Sequence, residues 1–170
     1  MALQGKFILN GADIAPLTIY GVGTFMAFSG QQNYINKGGC AHIRSLGPTP
    51  PGNYYIVDRP WGSPGNMLRA AAADIALSIK RGTIVDHYEW FALYRDDGII
   101  DDETFYEGVA RGNFRLHPGQ VSEDCITLVH RTDFYRIKTA ILNQPQFYIP
   151  GTKIKSYGKI EVISHGTICT

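Results

Sequence analysis

Glycine and proline recur along this chain too closely to leave room for long helices. Nineteen glycines and nine prolines are interspersed with ten tyrosines and eight phenylalanines. Aromatic side chains suit a pleated surface, and Gly and Pro set the backbone of turns, so the pattern predicts short strands and a β-rich fold. At 170 residues the chain is long enough for one domain with a core and too short for two ordinary domains and a linker. Residues 1–170 are therefore read as one domain. A hydrophobic content of 44% against 18% charged residues excludes a disordered chain. The formal net charge of +1 gives no general attraction to a polyphosphate or an anionic bilayer, so nucleic acid is not an expected partner.

Local signals divide the chain further. KFILNGADI predicts a hairpin through Asn10-Gly11, because Asn-Gly supplies the two positive φ values of a type I′ turn. Residues 14–36 carry no charge, yet Pro16, Gly21, Gly23 and Gly30 interrupt the roughly 20 apolar residues of a spanning helix. Strands are expected there, within an N-terminal β extension over residues 1–45. The start of the sequence lacks the basic-then-apolar pattern of a secretory leader. GPTPPG at 47–52 reads as a loop, and NYYIVD at 53–58 and YEWFALY at 88–94 read as strands. Three short helices are predicted. The first runs from about Asn66 to Lys80; the second starts on the acids Asp101, Asp102 and Glu103 and ends near Ala110. The third runs from a Thr132 N-cap to about Asn143 and buries Phe134, Ile137 and Ile141. Residues 147–163 supply the last strands.

The segment that carries chemistry is GNFRLHPGQVSEDCITLV, residues 112–129. Period-two alternation puts Arg115 and His117 on one face of a strand, and Cys125 and Thr127 on one face of the next. Paired as a hairpin, the two strands set His117 opposite Cys125 and Arg115 opposite Thr127. An imidazole there takes the thiol proton and makes Cys125 a nucleophile. A buried cysteine beside a half-exposed histidine is the other reading of the same spacing. Cys40, Cys125 and Cys169 are an odd number, so at most one bridge forms and a thiol remains. Two other Cys-His pairs, Cys40 with His42 and Cys169 with His165, have no flanking loop or sit at a fraying terminus. Zinc on Cys125, His117 and His130 and calcium on Asp96, Asp97, Asp101, Asp102 and Glu103 both lack a recognised ligand spacing, so no metal or cofactor is expected.

IVDRP (56–60), WFALY (90–94) and RGNFRLHPG followed by SEDCITL (111–128) resemble the L,D-transpeptidase-like effectors that bacteria deliver by type VI secretion. These are related to L,D-transpeptidase catalytic domains, and the resemblance covers roughly residues 50–144. It implies a β-sandwich catalytic domain that acts on peptidoglycan stem peptides through a thioester. His117 matches the upstream histidine of the pattern, Ser122 its Ser/Thr and Cys125 its nucleophile. Glu123 and Asp124 stand where His and Gly are usual, which bears on the oxyanion hole.

The implied activity is that of an L,D-carboxypeptidase or L,D-transpeptidase on tetrapeptide stems. His117 is the base, Ser122 orients the loop, the backbone around Asp124 and Cys125 holds the oxyanion, and Arg115 takes a substrate carboxylate or forms an ordinary ion pair. The resemblance also implies passage through the type VI machinery, action in the target-cell periplasm and a cognate immunity protein. Two alternatives stay open. Asp124-Cys125 is also similar to NlpC/P60 cysteine peptidases, with a helix after the cysteine and His165 as base. An inactive cell-wall or partner-binding module would instead use Tyr54, Tyr55, Trp61 and Trp90 as contact surface.

Overall fold

The computed structural model describes residues 2–59, 90–166 and 168–169. Its elements are β1 (Leu3–Leu9), β2 (Ala15–Ile19), β3 (Gly23–Phe28), β4 (Gly52–Asp58), β5 (Phe91–Arg95), β6 (Glu103–Tyr106), β7 (Val109–Gly112), β8 (Arg115–Pro118), β9 (Ile126–Leu128), α1 (Arg131–Leu142), β10 (Phe147–Tyr148), β11 (Lys155–Ser156) and β12 (Gly158–Ser164). The β-rich expectation holds. Eight strands close into a barrel in the order β1-β12-β4-β5-β8-β9-β3-β2, which leaves no unpaired edge. Neighbours are antiparallel except at β1/β12 and β8/β9. Strands β1 to β3, within residues 1–45, are staves of this barrel.

Alternation in the sequence becomes alternation in burial. In β1 the side chains of Phe7 and Leu9 turn inward; Leu17 and Ile19 of β2 and Ile160 and Val162 of β12 meet them. Leu93 of β5, Leu116 of β8 and Ile126 and Leu128 of β9 complete the ring. Helix α1 buries Phe134, Ile137 and Ile141 in the same core, the one-sided stripe that its spacing predicts. It starts one residue before Thr132, with His130 at the N-cap. Tyr55, Val57 and Ala92 face the other way and pack with Ile149 and Phe147 in a second, smaller cluster.

Two local expectations are corrected. The N-terminal hairpin forms, but through a five-residue loop, 10–14, in which the Asn10 carboxamide accepts from Ala12 N and donates to Ile14 O. The predicted helix at 101–110 is instead the hairpin β6–β7, turning on Glu107 (φ +50) and Gly108 (φ +78). Positive φ at both central residues is what a two-residue type I′ turn requires. Asp101 accepts from Glu103 N at the start of that hairpin rather than capping a helix. The helix predicted at about Asn66 to Lys80, and residues 88–89 of the strand predicted at 88–94, lie outside the described residues.

Candidate active site

Strands β8 and β9 are buried on both faces. Their inner side chains, Leu116, Ile126 and Leu128, belong to the apolar core. Their outer ones, Arg115, His117 and Thr127, are polar and still nearly excluded from water. A buried polar face on the outside of a barrel is where groups with altered reactivity are expected.

The two strands do not form a hairpin. They run parallel, in the register Leu116↔Ile126, His117↔Thr127, Pro118↔Leu128. Parallel neighbours ordinarily need a long crossover. Here β8 spans only about 13 Å, and the seven residues 119–125 reach roughly 24 Å, so the chain can return and start again in the same direction. The face assignment survives and the partners change. His117 lies opposite Thr127, and the register continued by one residue sets Cys125 beside Arg115. Cys125 itself lies one residue before β9, and Arg115 acts on its thiol.

His117 is held from three sides. Its Nδ1 lies 2.8 Å from the Pro118 carbonyl, which can only accept, so Nδ1 carries the proton in the neutral ring. Nε2 is left with its lone pair, 3.3 Å from the Thr127 hydroxyl. The Trp90 indole stacks on the ring at 4.0 Å between centroids and 16° between planes, with the Arg59 guanidinium over the indole. Nε2 therefore faces Thr127, two residues beyond Cys125. Trp90, in the sequence reading part of the 88–94 strand and a candidate contact residue, packs on the histidine.

Cys125 is the free cysteine among the described residues; Cys40 and Cys169 form a disulfide, which leaves neither decoy pair with a thiol. His42 meets Glu107 at 3.4 Å, and His165 is exposed after β12. The Cys125 thiol is buried and donates toward the Asn113 carbonyl at 3.9 Å. Burial pushes its pKa up to about 12, against the pull of the Arg115 backbone N–H and guanidinium. The resting thiol is thus protonated at neutral pH.

The folded protein keeps a thiol proton that the unfolded chain loses near the ordinary value of 9.0. The unfolded state therefore binds fewer protons above that pH, and stability falls as pH rises toward 12, by at most about 1.4 kcal/mol per unit. Below pH 9 the effect is absent. Chemical denaturation of wild type and Cys125→Ser at pH 8, 9.5 and 10.5 should show the variant gaining relative to wild type as pH rises. The phenols of Tyr54 and Tyr157, also raised by burial, titrate alike in both proteins. A constant gap between the two would refute the assignment.

The loop before Cys125 is closely tied. Ser122 is buried and its hydroxyl donates to the Cys125 carbonyl at 2.6 Å. Asp124 adopts φ +59; its carboxylate accepts from Arg111 at 2.6 Å and its carbonyl from Thr49 at 3.1 Å. Thr49 is held in turn by Ser29, whose backbone N–H donates to Asn36. Arg115 places both guanidinium nitrogens 2.7 Å from the two oxygens of Asp102, so its fork already carries a carboxylate. Of the other acids of that stretch, Asp97 accepts from Thr104, Asp101 from Glu103 N, and Asp96 meets Lys159 at 3.4 Å. Among the described residues no three His, Cys, Asp or Glu side chains gather as a metal site.

Comparison with known families decides the kinship. The model of the Tlde1 domain matches residues 23–152, from β3 to the turn after β10. The chain belongs to the Tlde1 family. This is the L,D-transpeptidase effector family of type VI secretion, and its members are antibacterial effectors that act on peptidoglycan. The Tlde1 match includes β8, β9 and the loop between them, and it starts 27 residues before the first residue of the segment on which the sequence resemblance rests. No curated protein matches the chain. No helix among the described residues is long and apolar enough to cross a membrane.

Proposed function

We propose that this Tlde1 protein is a cysteine-dependent acyltransferase of peptidoglycan stems, an L,D-carboxypeptidase or L,D-transpeptidase. The observation that carries the reading is a buried free thiol, Cys125, immediately before β9, the strand that pairs in parallel with the β8 strand of a buried His117. Cys125 attacks the carbonyl of the L,D bond in a tetrapeptide stem while His117 Nε2 takes the thiol proton. The carbon–sulfur bond forms, and the backbone N–H groups around Asp124 and Cys125 receive the oxyanion. The carbon–nitrogen bond then breaks, the His117 proton passes to the departing D-alanine amine, and a thioester remains. Water completes carboxypeptidation; the amine of a D-amino acid or of another stem completes exchange or cross-linking. Ser122 fixes the loop through the Cys125 carbonyl.

Arg115, engaged with Asp102, serves here by holding positive charge beside the sulfur; it reaches a substrate carboxylate only by sharing its fork. The NlpC/P60-like reading needs a helix after the cysteine, and residues 126–128 are strand β9. Delivery by the type VI apparatus brings the enzyme to its substrate in the target-cell periplasm. In the producing cell an immunity protein that covers the His117–Cys125 face protects against it.

Mass spectrometry of disaccharide tetrapeptide incubated with the protein, with and without excess of a second D-amino acid, tests this. Loss of the terminal D-alanine, or its replacement by the added amino acid, is the expected result. Cleavage elsewhere in the stem would restore the endopeptidase reading, and an unchanged substrate together with unchanged sacculi would favour a binding module.

A further inference from the structure

Arg111, at the end of β7, has a wholly buried side chain although it is charged. Its guanidinium donates to the carbonyls of Ala41, Gly47 and Pro48 and to the Asp124 carboxylate. It thus joins the 41–48 segment to the residue immediately before Cys125. That residue needs holding. Asp124 sits at φ +59, a left-handed conformation that glycine adopts freely and other L-residues adopt at a cost. Such a conformation persists where the surroundings over-determine it. Here both ends are gripped, the carboxylate by Arg111 and the carbonyl by Thr49.

We propose that Arg111 is a positioning residue of the site: through Asp124 it holds the left-handed turn that aims the Cys125 backbone N–H and thiol. The proposal rests on Cys125 as the nucleophile. Arg111 touches neither substrate nor sulfur. It does with an ion pair what a glycine at position 124 would do with backbone freedom, and it ties that turn to the 41–48 segment.

The two halves of this role separate experimentally. Arg111→Met leaves three loop carbonyls without their donor and leaves Asp124 unheld. Adding Asp124→Gly repairs only the second fault. Arg111→Met is expected to lower kcat at least about tenfold with KM little changed, since small misplacement of a reacting group is costly. The double variant Arg111→Met/Asp124→Gly should regain most of that kcat while its melting temperature stays as low as that of the single variant. With Arg111 intact, Asp124→Gly should exceed Asp124→Ala in kcat at least about fivefold, because alanine resists the left-handed turn. This pair guards against an Arg111→Met protein that does not fold.

Iodoacetamide labelling of Cys125 gives a readout independent of the stem substrate. It should quicken about tenfold in Arg111→Met and slow again in the double variant, as the loop loses and regains its turn. Wild type and Cys125→Ala accompany every assay. Wild type inactive on the stem would sink the reading of function, and the labelling rates would then judge the positioning role. Wild type active with Arg111→Met equal to it in kcat and labelling, or a double variant no better than the single one, would overturn the positioning role alone.

Discussion

Cys125→Ala is expected to lower turnover of the tetrapeptide by at least about 10⁴-fold while leaving the fold intact, because it removes the proposed nucleophile and little else. The sulfur lies outside the apolar core cluster and its contacts, to the Asn113 carbonyl at 3.9 Å and to the Arg115 backbone N–H, are polar, so its loss opens only a small void. His117→Ala should cost about 10²–10⁴-fold, the usual worth of a positioned general base. The pH profile distinguishes a base from a residue that merely packs. With the thiol pKa near 12, little thiolate forms unaided at pH 7. In His117→Ala the thiolate fraction, and with it the residual activity, should therefore rise close to tenfold per pH unit through pH 8–10. If Nε2 takes the proton during attack, as proposed, the wild-type profile should be far flatter over that range. Rates of D-alanine release across this range, measured on both proteins, check it; parallel profiles would remove His117 from the role of base.

What the sequence disclosed, and what it hid, follows from the range of the interactions concerned. Alternation is local. It puts Arg115 and His117 on one face of β8 and Cys125 and Thr127 on one face of the next strand, and Arg115, His117 and Thr127 are the polar outer residues in the structure. It is silent on strand direction, and the seven-residue connection reads as easily as a hairpin. The parallel register sets His117 opposite Thr127 rather than Cys125. Helix α1 was legible because Phe134, Ile137 and Ile141 share one face of a 3.6-residue period. At 101–110 the acids of a helix start competed with a turn signal, and Glu107-Gly108 prevailed, with Thr104 and Arg111 paired across the hairpin and both buried. Arg111 itself gave no sequence signal: three of its acceptors lie more than 60 positions earlier.

Reduction of the Cys40–Cys169 disulfide is expected to cost this protein much of its stability. The bridge spans 129 residues of sequence, so it ties the turn after β3 to the tail beyond β12 and excludes most extended conformations from the unfolded chain. For a loop that long the chain-entropy account gives an upper bound of about 5 kcal/mol, and removal of native disulfides typically costs about 2–5 kcal/mol. At this chain length each kcal/mol moves Tm by roughly 2–4 °C, so a fall of roughly 5–20 °C should separate the reduced from the oxidised protein. A Cys40→Ser/Cys169→Ser variant should match the reduced wild type and ignore dithiothreitol. The loss should also be felt locally, because Ala41 and Gly47 beside the bridge give their carbonyls to Arg111. Hydrogen exchange in the 38–48 segment should therefore quicken more than that of strand β1 when the bridge is cut. A thermal unfolding scan with and without reductant decides the main point, and equal midpoints would show that the barrel holds without the bridge. Thiol-reducing cytosol and oxidising periplasm favour opposite states of this pair. A protein delivered from one to the other would gain this stability on arrival, where the stem peptides that Cys125 is proposed to attack are found.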